Sequence, residues 1–213
     1  MGEIPALLDH LVLATPDLTA TVADFARRTG VTPAPGGAHV GLGTRNHLVG
    51  LGGRRYLEIV GPDPARHPGA GRGGARASRP TALETLPAPR VLAWAIRPPD
   101  LDAAVAAARA RGHDPGEVRP MSRHRPDGTL LRWRLTDGEH PSGLVPFLID
   151  WGASAHPASG LPVAPLRSLA ASAPDPGPVR PLLAALGVEL PLTAGPAALA
   201  VTLDTPRGPV TFG

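Results

Sequence analysis

Hydrophobic and polar positions alternate at the start of the chain. Leu8, His10, Val12 and Ala14 share one side of an extended strand, with Asp9, Leu11 and Leu13 on the other. Pro16 breaks the strand and Asp17 caps a helix. Leu18, Val22, Phe25 and Ala26 give that helix an apolar stripe that ends at Gly30. One turn-rich strand is expected within residues 31 to 39. Another follows a loop within residues 41 to 51, and Gly52-Gly53 turns the chain into Arg54–Val60. This last strand places Glu58 between Tyr56 and Val60, as the first places His10 among apolar neighbours. A buried imidazole or carboxylate is costly unless paired, hydrogen-bonded or metal-bound, so the two mark the heart of a site.

Residues 1–64 therefore read as a β-α-β-β-β unit. Residues 65–89 form a Gly/Arg/Pro-rich linker with a short helix around Thr81 to Leu86. The opening pattern then returns in Val91–Ile96, Pro99-Asp100-Leu101, Val105 and Gly112. Strands at 129–135 and 145–152 complete a second unit over 90–158. A third, partial unit occupies 159–213, and Asp-to-Gly spacings of 13, 12 and 12 residues link Asp17–Gly30, Asp100–Gly112 and Asp175–Gly187. Paired units cover one another's apolar faces. The odd third one, with Leu166, Val179, Leu182, Leu186, Leu199, Val201 and Leu203, must either pack against the first two within the chain or meet its counterpart across a two-fold axis; the homodimer, which copies the pairing of the first two units, is the favoured expectation.

Composition narrows the function classes. The 213 residues are 42% hydrophobic and 18% charged, as in a globular protein with a real core. All 21 basic residues are Arg and the net charge is only +3, a usage that suggests a GC-rich bacterial genome. With aromatics at 3%, neither charge nor stacking surface points to nucleic acid. No cysteine is present, which excludes disulfides and thiolate chemistry. No apolar run approaches a membrane span of roughly 20 residues, and no leader is evident, so a cytoplasmic protein without membrane or nucleic-acid partners is expected.

The motifs Leu8-Asp9-His10-Leu11-Val12-Leu13, Gly43-Thr44-Arg45-Asn46, Tyr56-Leu57-Glu58 and Pro146-Phe147-Leu148-Ile149-Asp150-Trp151 resemble the glyoxalase-like domain proteins of the vicinal oxygen chelate superfamily. The resemblance implies an α+β fold in which tandem βαβββ units form a cupped sheet. It also implies a divalent metal held by first- and fourth-strand ligands, here His10 and Glu58. The second unit offers Ala93 and Ile149 at the matching places, so the metal would be weakly held unless His39, His47, Asp150 or His140 joins. Superfamily members include lyases, isomerases, epimerases, dioxygenases and drug-resistance proteins.

The expected function is thus a glyoxalase-like lyase or isomerase acting on a small carbonyl compound. Glu58, its pKa raised in an apolar cup, is the base, and His10 its partner or a metal ligand. His39, Thr44, Asn46, His47, Trp133 and Trp151 are the expected substrate contacts. Trp94 should pack behind the sheet, Asp150 pair with an Arg, and His67, His113, His124 and His156 lie in loops. Ala93, with Val91 and Ala95 on the same face, leaves room for an organic ligand. The alternatives are a non-catalytic protein that sequesters a metabolite or antibiotic, and a structural domain with a vestigial polar pair.

Overall fold

The computed structural model describes residues 4–39, 41–65, 80–138, 140 and 142–213. Most of the expected linker, with His67, lies outside the described residues. The first unit is β1 (Leu8–Ala14), α1 (Leu18–Thr29), β2 (Ala34–Ala38), β3 (Thr44–Gly50) and β4 (Tyr56–Pro62). The second follows α2 (Pro80–Glu84) and comprises β5 (Arg90–Ile96), α3 (Leu101–Ala110), β6 (Val118–His124), β7 (Leu130–Thr136) and β8 (Phe147–Asp150). The capping signals act as expected. Asp17 accepts the Ala20 N–H and Asp100 the Ala103 N–H, both at 2.9 Å, and Gly30 closes α1 in the left-handed conformation.

Both units share one eight-stranded sheet in the order β2-β3-β4-β1-β5-β8-β7-β6. β1 and β5 meet antiparallel at its centre, and each has its own fourth strand parallel on its outer side. The sheet curls until its edges touch in a bridge between His39 and Arg123, which makes a nearly closed barrel. Small residues allow the approach. A Cβ on Gly37 would stand 1.9 Å from the His124 carbonyl oxygen of the other edge, and one on Gly36 2.1 Å from Asn46 Oδ1 on neighbouring β3.

Alternation sorts the side chains into two cores. Leu48, Tyr56, Leu131, Trp133, Ile149 and Trp151 pack inside the barrel. Leu11, Leu13, Leu57, Ile59, Trp94 and Ile96 face outward and join α1 and α3 through Leu18, Phe25, Leu101 and Val105. Trp94 packs behind the sheet as expected and donates to the Leu144 carbonyl at 2.9 Å.

The third segment holds β9 (Leu166–Ala173), α4 (Val179–Ala185), β10 (Leu192–Ala194), β11 (Ala198–Thr205) and β12 (Gly208–Phe212). It repeats the β-α-β-β-β order but not the pairing. β9 lies inside a separate sheet, β10-β9-β11-β12, whereas β1 joins its own unit only through β4. Asp175 caps no helix and instead accepts the Gly177 N–H. Leu169, Leu199, Val201 and Leu203 are at most 2% exposed and belong to the same core as Leu11, Leu57 and Trp94. Each such side chain contributes roughly 1.5–3 kcal/mol by leaving water. This corrects the expected two-fold interface, because the apolar face that was to form the homodimer is covered within the chain. Among the described residues no helix is long and apolar enough to cross a membrane.

Candidate functional site

The centre of the barrel turns on a bulge. β1 and β5 run in register from His10↔Ala95 to Val12↔Ala93 and slip by one residue at each end, leaving Asp9 extra on β1 and Leu92 extra on β5. A bulge brings neighbouring side chains toward one face. Asp9, expected opposite His10, therefore lies inside the barrel and fully buried. The same slip sends Val91 into the outer core, so it does not share the inner face of Ala93.

Asp9 is completely partnered. Its Oδ1 accepts from His10 Nδ1 at 2.8 Å and from Trp151 Nε1 at 3.3 Å. Its Oδ2 accepts from Arg97 and from His156 Nε2, both at 3.0 Å. The Ala158 N–H donates to His156 Nδ1, so the His156 proton sits on Nε2. Burial pushes the Asp9 carboxyl up, but hydrogen bonds and attraction from His10 and His156 outweigh it and hold Asp9 well below the usual range.

That network fixes His10. Nδ1–H donates to Asp9, which leaves Nε2 facing Glu58 Oε2 across 4.0 Å. Tyr56 stacks on the imidazole at 4.6 Å and Phe147 meets it edge-on at 5.5 Å. Glu58 is held from the other side. Asn46 Nδ2 donates to Oε1 at 2.5 Å, and His39 Nε2 lies 3.4 Å from the same oxygen. The Thr44 hydroxyl pairs with His39 Nδ1 at 2.9 Å.

Burial would raise the Glu58 pKa, yet His39, then His10 and Asn46, bring it from an ordinary 4.5 down to about 2. This corrects the raised pKa expected of Glu58. The apolar cup is lined by donors at this point, and donors favour the anion.

Five of the six expected substrate contacts share this interior. His39, Thr44 and Asn46 hold Glu58 as described. Trp133 and Trp151 wall the cup with ring centres 5.2 Å apart, and Trp133 lies edge-on to His39 at 6.5 Å. His47 does not belong. β3 alternates, so Asn46 and Leu48 face in while His47 faces out, where burial and Arg45 push its pKa down. Asp150 pairs with Arg134 at 2.9 Å and His140 with Ser142 at 2.7 Å, each away from Glu58.

Sequence reasoning missed Asp9, Arg97, Arg123 and His156. Only the acid–imidazole neighbours Asp9-His10 offered a signal, and alternation hid it. Arg123, 3% exposed, donates to the Gly36 carbonyl and lies in electrostatic reach of Glu58.

The donor set does not suit a divalent metal. Among the described residues no three His, Cys, Asp or Glu side chains come together to hold one. Val12 pairs with Glu58 as Ala95 pairs with Phe147, so the counterpart of Glu58 is Phe147 rather than Ile149. With Ala93 it leaves half the expected ligand set apolar. Arg97 and Arg123 already balance Asp9 and Glu58, so a further dication would be in excess.

A glyoxalase-like domain family model matches residues 8–187. No curated protein matches the chain. Among solved structures, a hypothetical protein from Staphylococcus aureus aligns with TM-score 0.62 at 14% identity, over 96% of this chain and 84% of its own; at that identity it shows the fold. Methylmalonyl-CoA epimerase from Mycobacterium tuberculosis aligns with TM-score 0.40 at 18% identity, over 69% of this chain and 87% of its own. The Streptomyces coelicolor epimerase, in complex with 2-nitronate-propionyl-CoA, aligns with TM-score 0.43 at 22% identity, over 70% and 97%.

Proposed function

Since this chain belongs to the glyoxalase-like domain family of the vicinal oxygen chelate superfamily, we propose that it is an isomerase or lyase whose own side chains move a proton next to a carbonyl. The observation that carries the reading is an imidazole held between two carboxylates, Asp9 at 2.8 Å and Glu58 at 4.0 Å. Imidazole takes and gives protons near neutral pH. Asp9 fixes the tautomer that leaves Nε2 as the acceptor. Glu58, held to about 2, binds a proton reluctantly. It acts better as the anion beside the imidazolium than as the base first expected. The proton leaves carbon for His10 Nε2, and its return to carbon completes an isomerisation. The substrate is a small organic carbonyl compound, walled by Trp133 and Trp151.

The test incubates the protein in D2O with small 2-hydroxy ketones and 2-hydroxy aldehydes, following loss of the carbon-bound proton by NMR. Exchange that disappears in His10→Asn supports the reading. Exchange unchanged in that variant overturns it. The near-closed barrel favours a second reading, a protein that binds such a compound unchanged, since the His10 and Glu58 side chains are only 4% and 13% exposed. Stoichiometric binding without exchange selects it.

A further inference from the structure

Tyr56 is the one tyrosine of the chain, and neither alternation nor the acid–base pair gives its hydroxyl a task. It stands on β4 two residues before Glu58, on the same inner face, and is 4% exposed. Its ring lies nearly parallel to His10, 15° apart, which fixes the phenol relative to the imidazole. The surrounding polar atoms are engaged: Asp9 by four donors, Glu58 Oε1 by two, and His39 by Thr44. The Tyr56 hydroxyl makes no hydrogen bond to any described residue. It is also not sealed, because the sealed unpartnered side-chain atoms among the described residues are Asn46 Oδ1 and His47 Nδ1. A phenol so deeply placed, unbonded and not sealed still has its O–H to give.

Resting on the acid–base reading above, we infer that the Tyr56 hydroxyl is the donor to the substrate's carbonyl oxygen, stabilising the enolate formed when carbon gives up its proton. In that step the C–H electron pair becomes the C=C bond and the carbonyl π pair moves onto oxygen. The proton goes to His10 and the Tyr56 O–H donates to the new oxyanion. Reprotonation at carbon reverses each movement, and no co-reactant is required. The phenol stays a donor throughout, since burial and the anions Asp9 and Glu58 raise its pKa well above the ordinary 10. Arg123 and Arg97 oppose that rise, and both place positive charge near the forming oxyanion. The ligand fitted by this arrangement carries its carbonyl oxygen within reach of the phenol and its acidic carbon beside Nε2.

Tyr56→Phe removes one oxygen and keeps the stacked ring. The expected result is a fall in kcat for exchange of ~10²–10³ with little change in KM and in thermal midpoint. An unchanged kcat in folded Tyr56→Phe overturns the inference while leaving the acid–base reading in place. Because the chain has a single tyrosine, growth on fluorotyrosine alters this phenol alone, so a variant that fails to fold does not end the test. A more acidic phenol that changes kcat supports donation; an unchanged rate opposes it. The lone [13Cζ]-tyrosine resonance, titrated with acetohydroxamate as a planar enolate mimic, reads donation without turnover. A saturable shift supports Tyr56 as donor even in a protein that shows no exchange, a result that would count against the acid–base reading alone. A resonance unmoved at millimolar excess overturns the inference.

Discussion

Across the central strand pair, the first unit bulges at Asp9 and the second at Leu92, beside the matching residues His10 and Ala93. The slips are symmetric. Leu8↔Ile96 in one half corresponds to Leu13↔Val91 in the other, so the backbone device is the same. Its contents are opposite. Asp9 meets four donors, whereas Leu92 packs with Leu83, Leu86, Val12 and Val60 beneath α2. The difference continues outward, with Phe147 at the place that matches Glu58 and Leu135 at the place that matches Asn46. A repeated backbone therefore supplies two sockets but does not dictate that both hold chemistry. The polar socket depends on every partner being present, because one missing donor leaves a buried group unpaired. The apolar socket depends on volume and tolerates substitution of similar size.

The largest effects should separate the halves by activity. Glu58→Gln or His10→Asn, both folded, are expected to lower proton exchange by ~10²–10⁴. Phe147→Leu, at the counterpart of Glu58, should cost less than about tenfold, equivalent to ~1.4 kcal/mol of barrier. Equal losses in the two halves would break the comparison.

Stability should separate the two bulges next. Asp9→Ala strands His156 and His10 in the interior and leaves the half-buried Arg97 without its carboxylate, and is expected to cost ~3–5 kcal/mol in urea denaturation. Leu92→Ala removes a half-buried side chain and should cost about 1–2 kcal/mol, below the range for fully buried leucines. If Asp9→Ala is as mild as Leu92→Ala, the network around Asp9 is not holding the socket.

Acid should act most strongly on the first unit, because its depressed carboxyls, Asp9 and Glu58, are buried, whereas those of the second, such as Asp114 and Asp137, lie at the surface. The Glu58 pKa is depressed on folding, so its contribution is fully present above about 4.5 and is lost as pH falls toward about 2. The fall from 4.5 to about 2 corresponds to ~3 kcal/mol. Glu58→Gln should flatten that part of the pH dependence measured by denaturation. An unaltered acid transition would show that another group carries it.

Much of this arrangement is readable from the residues, and the failures have physical causes. The stripes of α1 and α3, their Asp caps and the strands of His10 and Glu58 follow from periodicity, because each helix has one wet side and each strand divides its side chains between two cores. Asp9 is lost to periodicity because a bulge interrupts it, and only tertiary pairing creates a bulge. β6 is missed because Arg119, Pro120 and Ser122 give an edge strand no apolar alternation, and with it goes Arg123, whose burial depends on the barrel closing. His156 lies in a Pro- and Gly-rich stretch that looks solvated until it folds over Asp9. The third segment shows its elements but not their wiring, since strand order is a long-range property.

The smallest expected effect probes the outer ring of the polar half. Thr44 on β3 holds His39, and the matching position on β7 is Trp133, as Asn46 pairs with Val60 and Leu135 with Ile149. Thr44→Val keeps the shape of a fully buried side chain and deletes only the hydroxyl that pairs with His39 Nδ1. One neutral hydrogen bond is worth ~1 kcal/mol, so the loss of stability should be of that size. Its more specific sign is electrostatic. Without the Thr44 hydroxyl, His39 is free to move its proton to Nδ1 and cease donating to Glu58. The Glu58 pKa should then rise toward its ordinary value, and the acid transition should begin at higher pH than in the parent protein. A Thr44→Val protein that loses stability uniformly across pH would show that the hydroxyl supports packing alone and leaves the His39–Glu58 contact as it was.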